Sequence, residues 1–284
     1  MVLVPYDLGR ENVGQGSGPV TLLDAGARRV LSDAGHRVRG VHRIRLTPDT
    51  GHEVGNVFAL ARALSRAIRE IREGDRIPIV LAGGCSSAIG VMAGLLPEGP
   101  TGLVWLDAHG DANTPETSES GYLDGMPLAV IVGWCWRKLA RSVPGFVPIP
   151  EESVIHVGGR DFDLVEGKRL SASGIRIVPA RTMRSAEGAG AMARAVRRIA
   201  RQQVPVSLHV DLDVIDKKDG LANRFAASGG PPLKAIEGAI RRIGAAAEVK
   251  AITLCSYDPR VDHDGLALRS GLRLLSALAS TVPA

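Results

Sequence analysis

At 284 residues, 45% of them hydrophobic, the chain is long enough to bury one large core, and we expect a single domain over residues 1–284. The net charge of +5 does not indicate nucleic-acid binding, because the arginines recur at helical spacing on amphipathic segments and only 4% of the residues are aromatic. Three cysteines are too few for a disulfide scaffold and no apolar stretch is long enough to cross a bilayer, so we expect a cytoplasmic location and no membrane partner.

Eight short β-type runs, bounded by Gly, Pro or Asp, recur along the chain. They cover residues 2–5, 37–44, 78–82, 102–107, 153–157, 175–178, 206–211 and 249–255. Eight helical patterns alternate with them and carry apolar residues three and four apart. These patterns cover residues 20–34, 56–73, 86–95, 126–141, 162–172, 189–201, 232–246 and 266–281.

Some of the predicted strands are apolar on both faces, as at residues 79–81 and 104–106. This pattern is typical of central strands in a mostly parallel sheet that helices cover on both sides. The sequence therefore predicts an α/β fold with a three-layer, doubly wound sheet. In such folds ligands bind beyond the carboxyl ends of the strands.

Two clusters of metal-ligating residue types stand at predicted strand ends. Asp107, His109 and Asp111 follow the apolar run at residues 102–106. Asp211 and Asp213 close the strand at residues 206–211. Residues two apart at the end of a strand point the same way, so we expect each cluster to direct its side chains at one spot.

Carboxylates this close together cannot remain ionised in a partly buried crevice unless cations lie between them. Oxygen-rich ligation with one imidazole favours Mn(II) over Zn, Fe or Co. Aspartates also cap helices and turns after strands, and one cluster alone would leave that interpretation equally good. Two clusters at equivalent strand ends favour metal binding.

The chain resembles the ureohydrolase family of arginases, agmatinases and formimidoylglutamases over most of its length. The resemblance is carried by Asp107-Ala-His109-Gly-Asp111, Asn113-Thr-Pro115 with Ser120-Gly121, Gly159-Arg160-Asp161-Phe-Asp163 and Asp211-Leu-Asp213. It implies an arginase-like fold, a hydrolase for C–N bonds of small guanidino or amidino compounds, and a homo-oligomer.

The resemblance also implies roles for individual residues. A site for two Mn²⁺ ions would be bridged by Asp107, Asp211 and a hydroxide. His109 and Asp213 would complete one ion's ligands, and Asp111 would serve the other. Asn113, Ser120 and Asp163 would hold the amino-acid end of a substrate. Two divalent ions can acidify a shared water into a nucleophile near neutral pH, and Asp111 could orient it.

Two positions in the metal and proton-transfer motifs depart from the family pattern. Cys85, in Ala82-Gly-Gly-Cys85-Ser86, stands where the family has a histidine ligand. A thiolate there would bind Mn(II) weakly, so the second ion's site is expected to be weak, and a small buried residue at a helix start is an equal alternative. Asp124 replaces a proton-shuttling histidine. It is either a catalytic relay with a raised pKa or a turn aspartate before Gly125.

The third departure concerns the substrate. Ser256 stands where the family has the glutamate that binds the guanidinium, so simple arginine hydrolysis is not expected. Asp258, Asp262 or Glu116 could replace that carboxylate. His263 is a candidate proton donor, although a loop histidine is more often only solvated. An N-hydroxyguanidino compound, a formimino group or a related amidine would suit such a pocket.

Two alternatives of other kinds remain at this point. The three departures motivate a non-catalytic or single-metal ligand-binding or regulatory member of the same fold. Glycine-rich stretches at residues 14–18 and 188–193 are weak matches to a dinucleotide fingerprint, and a nucleotide-dependent enzyme would rest on them alone. The main prediction is a cytoplasmic C–N hydrolase that uses Mn²⁺.

Overall fold

The fold is built on a parallel β-sheet. A computed structural model describes residues 1–47, 49–184 and 186–283 of the chain. Its strands are β1 (Val2–Val4), β2 (Tyr6–Asp7), β3 (Arg10–Glu11), β4 (His42–Arg43), β5 (Ile79–Ala82), β6 (Gly102–Leu106), β7 (Val154–Val157), β8 (Arg176–Val178), β9 (Val206–Asp211) and β10 (Val249–Cys255).

Eight of these strands form one sheet in the order β4-β1-β5-β10-β9-β6-β7-β8. Every pairing within it is parallel. Each of the eight predicted strands contributes to this sheet, and the predicted doubly wound α/β class is confirmed. The strand order switches at β5, because the chain passes from β5 to β6 and only later adds β9 and β10 between them. The carboxyl ends of β5, β10, β9 and β6 therefore meet at one rim, where a doubly wound sheet binds its ligands.

The helices alternate with the strands along the chain. They are α1 (Gly18–Leu22), α2 (Arg28–Asp33), α3 (Glu53–Glu73), α4 (Ser87–Leu95), α5 (Pro127–Ile131), α6 (Arg137–Arg141), α7 (Leu164–Ala172), α8 (Ala180–Met183), α9 (Ala186–Gln202), α10 (Leu233–Gly244) and α11 (Leu266–Ala279). No described helix has the length and apolar character needed to cross a membrane.

Two apolar cores cover the two faces of the sheet. On one face Phe58 of α3 and Met92 of α4 pack with Trp105 of β6. On the other face Ile240 of α10 and Leu274 of α11 pack against the alternate residues of the same strands. Side chains two apart on a strand share a face, so each strand supplies both cores. This arrangement explains why the central strands read as apolar throughout.

The prediction of one helix over residues 126–141 was wrong. The structure has two short helices there, because α5 ends at Ile131 and α6 begins only at Arg137. Gly133 and Trp136, with φ of 82° and 49°, adopt left-handed backbone between them. A left-handed residue cannot continue a right-handed helix, so the chain turns here.

The edges of the sheet also differ from the prediction. β4 pairs with β1 over only two residues, whereas the sequence predicts a strand over residues 37–44. As the outermost strand, β4 has one neighbour to pair with. The short β2–β3 hairpin and α8 were not predicted. None of these differences changes the rim where β5, β10, β9 and β6 end.

Candidate metal centre

The register of the sheet brings the two predicted aspartate clusters together. Pairing of β10 with β9 places Cys255 beside Asp211. Pairing of β6 with β9 places Leu106 beside Val210, so the next residue, Asp107, lies beside Asp211. Asp107, Asp211 and Cys255 are all buried. Three neighbouring strands therefore end in one buried row of polar side chains.

Asp107, His109 and Asp213 form a group whose ligand atoms lie within 4.8 Å of one another. His109 Nδ1 lies 3.4 Å from Asp107 Oδ1 and 3.4 Å from Asp213 Oδ2. The backbone N–H of His109 donates to Asp107 Oδ1 at 2.8 Å, which holds that carboxylate in place. The backbone N–H of Asp213 donates in the same way to Asp211 Oδ1 at 2.8 Å. Both strand ends thus aim carboxylate oxygens at the imidazole.

The electrostatics of this group show a need for positive charge. Burial would lower the pKa of His109, but its contacts with Asp107 and Asp213 outweigh burial and raise the pKa well above the ordinary range. Burial likewise works against the Asp213 carboxylate, and the contact with His109 nevertheless lowers its pKa to about 2. An imidazolium balances the carboxylates in the protein alone. The same oxygen and imidazole donors fit a hard divalent cation, which would take over that role.

Two further acids lie in the same crevice without such compensation. Burial raises the pKa of Asp211 well above its usual value, and the charges of Asp213 and Asp107 add to the shift. Burial also raises the pKa of Asp111, with Asp107 and Asp124 adding to it. Among the groups of possible metal ligands that the described residues form, Asp111 belongs to none. Asp111 is buried in the same crevice, and its role as a metal ligand stays a prediction.

Two side chains hold the loop that carries Asp213. The guanidinium of Arg160 donates to backbone carbonyls at 2.7 to 3.2 Å, and these belong to Gly158, Asp213, Val214, Ile215 and Ala227. The amide of Asn223 donates to Asp213 Oδ2 at 3.2 Å and to the carbonyl of Ser256 at 3.0 Å. Neither residue was predicted as part of the site. Arg160 lies in one of the quoted motifs, whereas nothing in the sequence distinguishes Asn223.

Cys85 lies at the turn between β5 and α4, in reach of the carboxylates. Its Sγ lies 3.1 Å from Asp211 Oδ2 and 3.7 Å from Asp107 Oδ2. These three residues form a second group of possible metal ligands. A thiolate is a softer donor than the histidine of the family pattern. This position therefore suits Mn(II) less well than the Asp107, His109 and Asp213 group does.

Asp124 fixes the same turn. Its carboxylate accepts hydrogen bonds from the backbone N–H of Cys85 at 3.0 Å and of Ser86 at 2.7 Å. Gly84 is required here, because a Cβ at this residue would overlap the Asp124 carboxylate. Burial raises the pKa of Asp124, and the two backbone N–H groups oppose the shift. The side chain is thus anchored at the turn into α4.

The predicted substrate residues are only partly brought together. Asn113 Nδ2 donates to Asp163 Oδ2 at 2.8 Å, and the hydroxyl of Thr117 donates to Asn113 Oδ1 at 2.9 Å. Ser120 is exposed, and its Oγ accepts from the N–H of Tyr122 at 3.1 Å. Asn113 and Asp163 therefore form one connected unit, and Ser120 lies further along the loop.

Glu166 of α7 supports this unit and was missed. Its carboxylate accepts from the N–H of Ala112 at 2.9 Å and of Asp163 at 3.2 Å, and so connects the loop after β6 to the start of α7. Burial raises its pKa to about 7 against the two N–H groups, which favour the charged form. A glutamate three residues after an aspartate is the usual sequence sign of a capped helix start, and this sign could have found it.

Comparison with known proteins agrees with the fold and the motifs. The model of the arginase family matches residues 1–280. The chain belongs to the arginase family. It is 28% identical to the arginase of Brevibacillus brevis, over 98% of this chain and 96% of that protein. It is 29% identical to the arginase of Bacillus subtilis, over 97% and 95%. A crystal structure of arginase from Bacillus subtilis aligns with a TM-score of 0.87 at 27% identity, over 98% and 96%.

Ser256 and its neighbours mark where this member of the arginase family departs from the pattern described above. Ser256 is buried with a φ of 64°, and its Oγ lies 3.7 Å from Cys85 Sγ. Asp258 is paired with the guanidinium of Arg260 at 2.8 Å. A replacement carboxylate at Asp258 is thus already engaged by a cation of the chain itself.

The other proposed substitutes for the missing glutamate are also placed elsewhere. Asp262 accepts from the N–H groups of Ala267 and Leu268 at 3.0 and 2.8 Å, so it caps α11. Glu116 is exposed, and so is His263, the candidate proton donor. Asp258 and Asp262 are thus engaged by other groups of the chain, and Glu116 lies at the surface.

His209 and Cys255 also lie near the rim of this arginase-family chain, and sequence reasoning missed both. With Cys85 they form a third group of possible metal ligands. The signal was present for His209, because it lies two residues before Asp211 and so shares its face of β9. Cys255 read as the last apolar residue of its strand.

Proposed function

We propose that this chain hydrolyses a C–N bond of a small guanidino or amidino compound, with Mn²⁺ held by Asp107, His109 and Asp213. The observation that carries the proposal is the meeting of two distant strand ends around one buried point, with Asp211 beside it. Membership of the arginase family supports the same reaction class. A divalent cation held there supplies the Lewis-acid chemistry that makes water nucleophilic near neutral pH.

Asp111 is the group that we propose to orient the attacking water and carry its proton. It is buried, and burial and the charge of Asp107 raise its pKa, which is the direction that a proton-carrying carboxyl needs. Such a carboxyl can pass the proton to a departing amine. We assign Asp124 to positioning of the turn at Cys85, because two backbone N–H groups already hold its oxygens. His263, the other candidate proton donor, is exposed.

The polar end of the substrate is proposed to bind beside Asn113 and Asp163. These two side chains are joined by a hydrogen bond and supported by Thr117, so their amide and carboxylate are preorganised. Ser120 and Glu116 lie exposed on the same loop, where they can contact the end of the substrate that is furthest from the metal.

The reacting end of the substrate is proposed to differ from that of arginine. A guanidinium in a buried pocket needs a carboxylate partner, and Ser256 offers only a hydroxyl. An N-hydroxyguanidino, formimino or related amidino group carries donors and acceptors that a hydroxyl can satisfy. We therefore propose this class of substrate.

The test is a substrate screen on protein loaded with Mn²⁺, with release of urea, hydroxyurea, formamide and ammonia as readouts. We expect turnover that falls at least about 100-fold in Asp213→Asn, because loss of a ligand should exceed the effect of an outer contact. Asp216→Asn, on the same loop but bonded only to the N–H of Lys218, is the matched control. Protein with bound Mn²⁺ that releases nothing from any guanidino or formimino compound would refute the proposal.

A second candidate is a non-catalytic or single-metal binding protein of the same fold. Cys85, Asp124 and Ser256 favour it, because these three departures lie in one crevice. Metal content of the purified chain separates the two candidates. Gain of arginine hydrolysis on changing Cys85 to His and Ser256 to Glu would show that the pocket is competent, and its absence with metal bound would favour the binding role.

Assembly and location are proposed on less direct grounds. Leu164 and Val165 at the start of α7 are 68% and 51% exposed, which is consistent with a contact between copies of the chain. Sedimentation velocity on the chain and on a Leu164→Glu variant tests the proposed homo-oligomer. The three cysteines are free and buried, as is usual in the reducing cytoplasm.

A further inference from the structure

Three soft donors face one another beneath the carboxylate rim. Cys85 Sγ and Cys255 Sγ lie 3.6 Å apart, and His209 Nε2 lies 3.2 Å from the first and 3.4 Å from the second. Cys85, His209 and Cys255 are each at most 2% exposed. We call this triangle the Cys85–His209–Cys255 cluster. Its members come from the turn after β5 and from two adjacent strands, so the sheet itself sets their spacing.

These separations are those of a tetrahedral zinc site. With Zn–S of about 2.3 Å and Zn–N of about 2.0 Å, ligand atoms at tetrahedral angles stand roughly 3.5 to 3.8 Å apart. The cluster shows 3.2 to 3.6 Å, so only small outward movements are needed. The cluster supplies three protein donors, which leaves the fourth position of a tetrahedral ion open; Asp211 Oδ2 lies 3.1 Å from Cys85 Sγ on the rim side.

His209 is held in the orientation that ligation requires. Its ring stacks on Trp105 with centroids 3.9 Å apart, which fixes the ring plane. Its Nε2 faces both thiol sulfurs, at 3.2 Å from Cys85 Sγ and 3.4 Å from Cys255 Sγ. Among the described residues, His209 Nδ1 and Thr253 Oγ1 are both buried without a hydrogen-bond partner, and the β10–β9 register places Thr253 beside His209.

This arrangement assigns the two nitrogens of His209. If Nε2 ligates a metal, the proton sits on Nδ1; the hydroxyl of Thr253 on the neighbouring strand is likewise without a hydrogen-bond partner among the described residues. Thiols are weak hydrogen-bond partners, so the three groups gain little from one another in the protein alone. Their burial together is explained by a cation that uses all of them.

We propose that Cys85, His209 and Cys255 form a zinc site that is distinct in donor type from the Asp107, His109 and Asp213 group. Zn²⁺ accepts thiolate and imidazole donors, whereas Mn²⁺ prefers oxygen. Binding displaces the thiol protons to solvent and forms two Zn–S bonds. The inference does not require the proposed hydrolysis, since metal binding is measured without a substrate.

The experiment uses the full chain, reduced and freed of metal by a chelator, with Co²⁺ as a spectroscopic substitute for Zn²⁺. We expect a thiolate-to-cobalt charge-transfer band and the intense visible bands of tetrahedral Co²⁺, both abolished by one equivalent of Zn²⁺. Cys255→Ser should remove the charge-transfer band or halve it and weaken Zn²⁺ binding at least about 100-fold. Cys135→Ser changes a buried thiol outside the cluster and is the matched control.

Two further measurements separate this inference from the proposed function. Asp213→Asn should keep the thiolate band while it loses the proposed Mn²⁺ site. Circular dichroism of each variant checks that it is folded, and His209→Gln, which leaves both thiols, gives a second test through loss of the tetrahedral bands. A reduced, folded wild-type chain that binds Co²⁺ without a thiolate band overturns the proposal, as does a band that Cys255→Ser leaves unchanged. A Cys85–Cys255 disulfide in place of metal binding would also overturn it.

Discussion

Asp124 lies near the candidate metal centre, and its side chain holds the backbone of a turn. Its carboxylate accepts from two consecutive N–H groups at the turn into α4, and those bonds set where Cys85 points. A carboxylate held this way has little freedom to move with a proton. This geometry supports the proposed positioning role of Asp124.

Asp124→Ala should destabilise the protein by about 2–4 kcal/mol, because two buried N–H groups lose a charged acceptor. Urea unfolding measures this change. Asp124→Asn keeps an acceptor oxygen and should lose less. If Asp124 were instead a proton relay, the pH profile of kcat in Asp124→Asn would shift while stability stayed near that of the wild type.

Asn223 acts on the metal group through one hydrogen bond to Asp213 Oδ2 and one to the carbonyl of Ser256. Asn223→Ala should weaken Mn²⁺ binding by about 10- to 100-fold, as expected for a contact that orients a ligand. Isothermal titration with Mn²⁺ gives the affinity. Arg224→Ala, at the next residue but exposed, is the control, and equal affinities in all three proteins would contradict this role.

At the scale of elements, the buried carboxylate of Glu166 joins α7 to the loop after β6. Glu166 bonds the N–H groups of Ala112 and Asp163, so the strand-end loop after β6 and the start of α7 move as one unit. The Asn113–Asp163 hydrogen bond spans the same junction. The proposed binding place for the substrate tail is thereby fixed relative to the metal group.

Glu166 should make stability depend on pH in a defined direction. Its folded-state pKa of about 7 lies above the ordinary value of 4.5, so the folded chain holds this proton more tightly. The resulting stabilisation is complete below the unfolded pKa and is lost as the pH rises through about 7. The loss amounts to roughly 3 kcal/mol at most.

Urea unfolding of metal-free wild type and Glu166→Gln at pH 5 and pH 8 tests this direction. The wild type should lose more free energy of unfolding than the variant between the two values, since the amide does not titrate. Other groups contribute equally to both proteins and cancel in the difference. The same pH dependence in both proteins would show that Glu166 does not titrate in this range.

For the whole molecule, the rim concentrates buried carboxyl groups, and burial raises the pKa of two of them, Asp111 and Asp211. Asp107, Asp111, Asp211 and Asp213 are all buried at one edge of the sheet. In the protein alone, His109 balances two of them. A bound cation would favour the ionised form of these carboxyl groups in the folded chain. Metal binding should therefore be linked to stability.

Mn²⁺ at about 100 times its dissociation constant should stabilise the chain by about 2.7 kcal/mol and raise Tm by roughly 5 °C or more. Differential scanning calorimetry with and without chelator measures the change. Asp213→Asn should lose most of the response, and Mg²⁺ at the same concentration should give a smaller one. A Tm that Mn²⁺ leaves unchanged in the wild type would count against metal binding at this rim.

The sequence by itself determined the class of the fold and was enough to predict the donors of the proposed metal group. Apolar strands alternating with amphipathic helices specify a covered parallel sheet, and side chains two apart at a strand end must share a face. These are local rules, so Asp107, His109 and Asp213 could be named without a structure. The break between α5 and α6 was missed because Trp136 adopts a left-handed backbone that its residue type does not announce.

Only the tertiary structure decided which residues share the crevice. The register of β10, β9 and β6 brings Cys255, Asp211 and Asp107 side by side although they are far apart in the chain. The same packing sets His209 against the thiols of Cys85 and Cys255. Such pairings follow from strand order and loop direction, which depend on contacts across the whole chain.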